Sequence, residues 1–408
     1  MTLQTALSGL NAAQMGIDTT SNDLANANTT AFKSQTALFE NVFPANVSNV
    51  PGYGATLEGM STDLTEGNLT TTGNSLDAAI QGNGYFVVSN NGSQQYTRDG
   101  AFQLSSTGQL ETLNNSSVLG YQVNNGVQSA TLSPITINTG SIAATPTSNV
   151  GLTLSLNSGD ALIPSTTTFS ESNPASFSES TSVVTYDSLG NANRAQLYFV
   201  QNQPATSSGA TPTWDVYAQP QLANGENVGN PEKITTLGFS SSGALTSGSP
   251  ASMTANWGNG SASSNIAFNF TGTTLSAQSF GVAGTTNDGN APGTYTGTSI
   301  SSDGSVVATY SNGQTMSSGK IAVGNFINPE GLSNISGNMY ASNNQSGQAA
   351  LSTPGTGLAG VLKGGEIESS NVSTSTLLVS LIQYQQAYQA NTSVIQTEQQ
   401  DSQRLLQI

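Results

Sequence analysis

The sequence predicts a mainly β protein with a terminal α-helical coiled coil. Two β-domains are expected, the outer inserted in the inner, together with paired N- and C-terminal helices. Three observations carry this prediction. Apolar residues recur at alternating steps of four and three at both ends of the chain, and nothing between residues 40 and 365 repeats that pattern. The long middle alternates apolar residues with Ser, Thr, Asn and Gly and is broken by Asn- and Gly-containing turn signals, the pattern of short antiparallel strands. At 408 residues, the chain is also too long for a single hydrophobic core.

Composition narrows the function classes. Charged residues make up 7% of the chain, where about 25% is usual. The 23 acidic residues outnumber the seven Lys and Arg, for a formal net charge of −16. Such a surface repels phosphate backbones, so no nucleic acid is expected as a partner. No apolar run is long enough to span a bilayer, so no membrane insertion is expected. Cysteine and histidine are absent, and no paired carboxylates stand in a recognisable motif. The expected set of catalytic, cofactor-binding and metal-binding residues is therefore none, and the chain is not expected to be an enzyme. Asp187 and Glu232 are catalytic candidates only as any acid is.

The terminal helices are assigned to residues 1–30 and 366–408. The first is expected from Leu3 to about Asn26, roughly 36 Å at about 1.5 Å per residue. Leu3, Leu7, Leu10, Gln14, Ile17, Ser21 and Leu24 form its stripe, and five of these seven are apolar. The C-terminal stripe is Leu377, Leu381, Tyr384, Tyr388, Asn391, Ile395, Glu398, Ser402 and Leu405, six of nine apolar. A 3.5-residue step places each set along one seam of a helix. Such a stripe can simply pack on the core of its own domain. The middle of the chain offers no other helical stripe, so the expected partners are the two helices themselves and those of neighbouring subunits. The expected subunit interface is Leu3, Leu7, Leu10, Ile17, Leu24, Leu377, Leu381, Tyr384, Tyr388, Ile395 and Leu405. Asn371 is the expected N-cap of the last helix. The first cation is Lys33, so Met1 to Thr5 lacks the basic start of a secretory signal.

Between the helices, residues 31–75 have no clear period and are punctuated by Pro44, Pro51, Gly52, Gly54, Gly59 and Gly67. An extended linker is expected there, with short strand-like pieces such as Tyr53 to Leu57. The inner β-domain is assigned to 76–144 and 296–365. Its markers are Leu76 to Val88, a hairpin turn at Asn90-Asn91-Gly92, and Tyr96 to Leu104. Arg98 and Asp99 stand beside a Gly at a turn and are expected to form a structural ion pair or a turn cap. The outer β-domain is assigned to 145–295, with strands around Val183, Ala195 to Val200 and Trp214 to Tyr217. The turns Asn287-Asp288-Gly289 and Asp303-Gly304 lack the acidic spacing of a calcium loop.

Several of these stretches carry a resemblance. Ser8-Gly9-Leu10-Asn11-Ala12-Ala13-Gln14 and Ser21-Asn22-Asp23-Leu24-Ala25-Asn26-Ala27-Asn28-Thr29-Thr30-Ala31-Phe32-Lys33-Ser34 closely resemble the N-terminal signature of the flagellar rod and hook protein family. That family usually has Val at Ala27 and Gly at Ala31, where Ala tolerates a positive φ poorly. Tyr384, Gln385, Ala387, Tyr388, Gln389, Ala390, Asn391 and Ile395 resemble its C-terminal signature. Gln386 stands where a basic residue is usual, and Ser373 and Thr376 where acidic ones are common. Val183-Val184-Thr185-Tyr186-Asp187-Ser188-Leu189-Gly190 and the blocks around Val306 and Val323 resemble hook proteins in particular, whose insertion the shorter rod proteins lack. The match is weak at about 210 to 300.

The resemblance implies a structural subunit of the bacterial flagellar hook. Such a subunit polymerises into a hollow helical tube that acts as a universal joint and carries motor torque from rod to filament. It implies as partners the chain itself in a helical homopolymer, the distal rod protein, the hook cap during assembly, the hook-filament junction protein and the flagellar type III export apparatus. It also implies an extracellular place at the flagellum hook, reached without a cleaved signal peptide. The competing expectations are a distal rod protein of the same family and a secreted adhesin-like β protein, which would leave both terminal stripes unexplained.

Overall fold

A computed structural model describes residues 2–42, 52–124, 126–164, 166–203 and 211–405. The chain is mostly β, with one helix at each end, α1 (Thr2–Ala25) and α2 (Thr374–Leu405). It forms two compact units. The first comprises residues 1–139, 297–309 and 315–408, and the second 140–296 and 310–314.

In the first unit, β1 (Gln35–Val42) and β2 (Gly54–Thr62) pair antiparallel and lie against α1. Within the stretch expected as an extended linker, 35–42 and 54–62 are thus a strand pair, and 43–51 lies outside the described residues. Two contacts fasten the pair to the helix. The Ser8 hydroxyl accepts from the Ala55 amide at 3.2 Å, and the Asp23 carboxylate accepts from the Gln35 amide at 3.0 Å. A short strand, β3 (Leu69–Thr71), pairs with Glu366–Glu368, and Ala78–Gln81 pairs with Val361–Gly364. Residues 366–368 are therefore a strand rather than helix, and α2 begins only at Thr374.

The β body of this unit is built on Tyr85–Asn90, which pairs with Ser93–Thr97, with Ser117–Asn124 and with Val323–Asn325. Asn91 at φ 50° and Gly92 at φ 83° both take the left-handed region, which a two-residue hairpin turn matched to strand twist requires. Phe86, Val88, Phe102, Leu110 and Val118 are fully or almost fully buried, and Tyr85, Val87, Tyr96, Ala322 and Tyr340 form a second cluster.

The second unit is a β-sandwich with its own core. One sheet holds Glu179–Tyr186, Ala192–Gln203, Thr213–Gln221, Glu232–Phe239 and Leu245–Ser247. The other is centred on Asn149–Asn157, whose alternate residues Val150, Leu152, Leu154 and Leu156 are buried. These meet Phe199, Trp214, Phe239, Trp257, Phe268 and Phe270 in one cluster, the interdigitation expected of two facing sheets. The antiparallel reading holds for the first sheet. The second is mixed, because Asn149–Asn157 runs parallel to both Ser264–Asn269 and Thr274–Ser276.

Candidate subunit-packing surface

The two terminal helices pack on each other, and glycine decides how closely. A Cβ on Gly9 would meet the Asn391 side chain at 2.8 Å, and one on Gly16 would meet the Tyr384 ring at 2.5 Å. Rising numbers on α1 face falling numbers on α2, so the pair is antiparallel. The side of α1 that is buried runs through Ala6, Ala13, Gly16, Thr20 and Asp23, with Gly9 on the same 3–4 rhythm. This line stands one residue before the predicted leucine stripe. It went unread because Ala, Gly and Thr add little to a hydropathy pattern, and the only sequence signal was the matching spacing of small residues.

Tyr384 and Asn391 of the predicted α2 stripe meet α1, while Ser402 of the same stripe is exposed. Leu377, Leu381, Tyr384, Tyr388, Asn391, Ile395 and Glu398 are all half-buried, whereas most residues between them are exposed. The side chain of Leu405 lies outside the described residues. On α1 the predicted stripe is only partly covered. Leu10, Ile17 and Leu24 are half-buried, but Leu3 is 48% and Leu7 50% exposed. Leu378, Val379 and Ile382 add an exposed apolar patch early on α2 that the single stripe did not include. In one copy of the chain, each helix thus keeps an apolar face without cover.

The first unit also holds a buried charged junction. Glu368 is fully buried and accepts from the Lys33 ammonium, from the Arg98 guanidinium at 3.4 Å and from the Gly67 amide at 2.9 Å. Lys33 also donates to the Thr65 carbonyl at 2.6 Å, and Arg98 to the carbonyls of Ile80 and Gly82. Burial holds the pKa of Lys33 below its ordinary value, and the Glu368 carboxylate offsets only part of that. Arg98 therefore has a structural ion-pair partner, but that partner is Glu368. Asp99 instead caps its turn by accepting from the Ala101 amide at 3.1 Å. Asn371 does not cap α2. Its side-chain oxygen accepts from the Ser34 backbone amide and its side-chain amide donates to the Asp63 carbonyl, and the first α2 hydrogen bond runs from the Leu377 amide to the Ser373 carbonyl. Lys33, Arg98 and Glu368 come from three distant stretches, so no local pattern could show the junction.

The two acids considered as catalytic candidates behave differently. Asp187 is fully buried at a turn. Burial raises its pKa, but hydrogen bonds from Asn191, Asn259 and the Leu189 amide outweigh this and hold the carboxyl at about 2. It is a turn-locking carboxylate. Glu232 is exposed at a strand start. Among the described residues no group of three or more acidic side chains could hold a metal ion, and no helix is long and apolar enough to cross a membrane.

A β-rich chain with paired terminal helices, two uncovered apolar helix faces and few charges is a structural subunit made to assemble. The comparisons agree in detail. Residues 3–33 match the family model "Flagella basal body rod protein", 79–150 "Flagellar hook protein FlgE/F/G D1 domain", 153–290 "Flagellar basal body protein FlaE D2 domain" and 363–408 "Flagellar basal body rod FlgEFG protein C-terminal". The chain is 35% identical to the flagellar hook protein FlgE of Escherichia coli strain K12 over 98% of both chains, and 35% identical to that of Salmonella typhimurium, also over 98% of both. It is 30% identical to that of Rhizobium meliloti over 97% of this chain and 96% of the relative. The chain belongs to the flagellar hook protein family. The crystal structure of Helicobacter pylori flagellar hook protein FlgE2 shares the fold, with a TM-score of 0.57 at 15% identity, over 74% of this chain and all of that one.

Proposed function

We propose that this chain is the structural subunit of a bacterial flagellar hook, polymerising into a hollow helical tube that bends while carrying motor torque from rod to filament. The observation that carries this is the likeness to hook proteins over the full length, from the first helix through the β units to the last helix. The match of residues 153–290 to the FlaE D2 domain model favours a hook over a rod subunit, on the reading that the shorter rod proteins of the family lack such an insertion. No enzymatic role belongs to this family of structural proteins. In this reading the helix stripes, with Leu3, Leu7, Leu10, Ile17 and Leu24 on α1 and Leu377, Leu381, Tyr384, Tyr388, Ile395 and Leu405 on α2, complete their burial against helices of neighbouring copies. The distal rod protein, the hook cap and the hook-filament junction protein are its successive neighbours. The flagellar type III apparatus exports it, without a cleaved signal, to an extracellular place.

The test uses cells whose only copy of this chain is altered. Deleting it leaves rods without hooks under the electron microscope, and restoring it returns them. Leu7→Asp places an unpaired charge in a seam between copies at a cost on the order of 3 kcal/mol in every subunit, so hooks are lost. Gln389→Glu, on the exposed side of α2, leaves hooks in place. Intact hooks in the deletion strain would refute the assignment. Normal hooks with Leu7→Asp would remove the α1 leucine stripe from the interface.

A further inference from the structure

Two of the most exposed apolar side chains among the described residues share one small patch on the β body of the first unit. Ile327 is 96% exposed and Leu358 82%. Both border a shallow cleft with Leu64, Pro329 and the buried Tyr85. Single exposed apolar residues are ordinary, but these two are held out on anchored turns. The ring of Phe326 packs edge-on against Tyr85 at 5.8 Å and Tyr96 at 4.7 Å, and the Asn328 side chain donates to the Gln345 carbonyl at 3.1 Å. Ile327, between these two anchors, projects outward. Leu358 sits on a turn closed by the Ala359 amide on the Thr356 carbonyl at 3.1 Å and by the Gly360 amide on the Asn83 carbonyl at 2.8 Å. An apolar side chain on a fixed backbone gives up little conformational freedom when a partner covers it.

Charge selects the partner. Copies of a chain with a net charge of −16 repel one another, so contacts between copies are favoured where no carboxylate faces outward. The cleft has no acidic residue in its lining, and its one charged side chain, Arg98, is 6% exposed and already engaged with Glu368 and two carbonyls. An exposed carboxylate on the adjoining turn, Glu330, stands outside that lining. A cleft that meets a different patch on the next copy makes a head-to-tail contact, and such contacts generate helical polymers. We propose that the Ile327–Leu358 cleft is a subunit-packing surface that receives an apolar, uncharged surface of a second copy of this chain. This inference rests on the hook-subunit reading and places a contact on the β body, separate from the helix stripes.

The chain has no cysteine, so one introduced thiol reports alone. In Ile327→Cys, a maleimide should react freely with the monomer and at least about tenfold more slowly with assembled hooks, as for a desolvated interface centre. A benzophenone carried on that thiol before assembly should crosslink, on irradiation of the hooks, to a peptide of this same chain. Ile327→Asp should abolish hooks while the monomer keeps its circular dichroism and melting temperature, because a side chain this exposed contributes nothing to the fold. A thiol that stays reactive in hooks, or a crosslink only to a different protein, would overturn the proposal. So would normal hooks from Ile327→Asp. If the unaltered chain forms no hooks, the hook-subunit reading itself has failed, which is a separate outcome.

Discussion

Ala31 is fully buried and sits at φ 57°, in the left-handed region. Its amide donates to the Glu368 carbonyl at 2.8 Å, and two residues on, Lys33 reaches the Glu368 carboxylate. The backbone reversal therefore steers a cation into the charged junction. The left-handed conformation costs an L-residue roughly 1–2 kcal/mol. Removing the buried methyl loses about 0.8 kcal/mol, and the looser unfolded chain of a Gly variant loses about 0.4–1 kcal/mol more. These terms nearly cancel, which explains why Ala is tolerated there. Ala31→Gly should shift the urea midpoint of the first unit by an amount worth less than about 1 kcal/mol, in either direction. Ala31→Val adds a branched side chain to a left-handed backbone in a filled site, and should cost at least about 2 kcal/mol. Equal midpoints for the Val variant and the parent would show that the turn relaxes out of the left-handed region.

At the scale of elements, the helix pair is thinly covered. No described residue of α2 is fully buried, and α1 buries mainly small side chains. Helices of this kind gain most of their stability from packing rather than propensity, so the pair should be completed by assembly. Amides of residues 2–25 and 374–405 should exchange within seconds to minutes in the monomer, and at least about a hundredfold more slowly in the polymer. Those of Tyr85–Asn90 should be protected in both. Strong protection of α1 in a proven monomer would make the helix pair a finished intramolecular domain. The α2 seam was legible in the sequence because Leu377, Leu381, Tyr384, Tyr388 and Ile395 are large and evenly spaced. On α1 the line that approaches α2 within one copy stands one position before the leucine stripe, because leucines dominate a hydropathy pattern while Ala6, Gly9, Ala13 and Gly16 set the approach. The β body was legible through its alternation and its Asn91-Gly92 turn. The parallel pairings of Asn149–Asn157 were not, since alternation is the same whichever way a neighbour runs.

At the scale of the whole molecule, the chain leaves the first unit at about residue 140 and returns near 297. The two crossing strands are tied together. The amides and carbonyls of Thr145 and Asn290 exchange hydrogen bonds at 3.1 and 3.0 Å, and those of Ile142 and Gly293 at 2.8 and 3.1 Å. A chain cut between Thr145 and Asn290 has its new ends side by side, so a two-residue Asn-Gly turn can close it. The sandwich core of the second unit, from Val150 to Leu275, lies wholly inside the excised segment. Removing residues 146–289 should therefore leave the first unit melting at its original temperature, while the excised segment, expressed alone, melts in one cooperative transition. Both helices and the Ile327–Leu358 cleft survive the excision, so the shortened chain should still polymerise. The second unit is the expected source of outer contacts that slide and re-pair as a hook bends. Its surface is rich in Ser, Thr and Asn, whose hydrogen bonds exchange through water at low cost. Electron micrographs of hooks built from the shortened chain should accordingly show straight tubes in place of curved ones. Curved hooks would assign the bending contacts to the first unit. A shortened chain that is exported and folded yet never polymerises would make the second unit part of the assembly core.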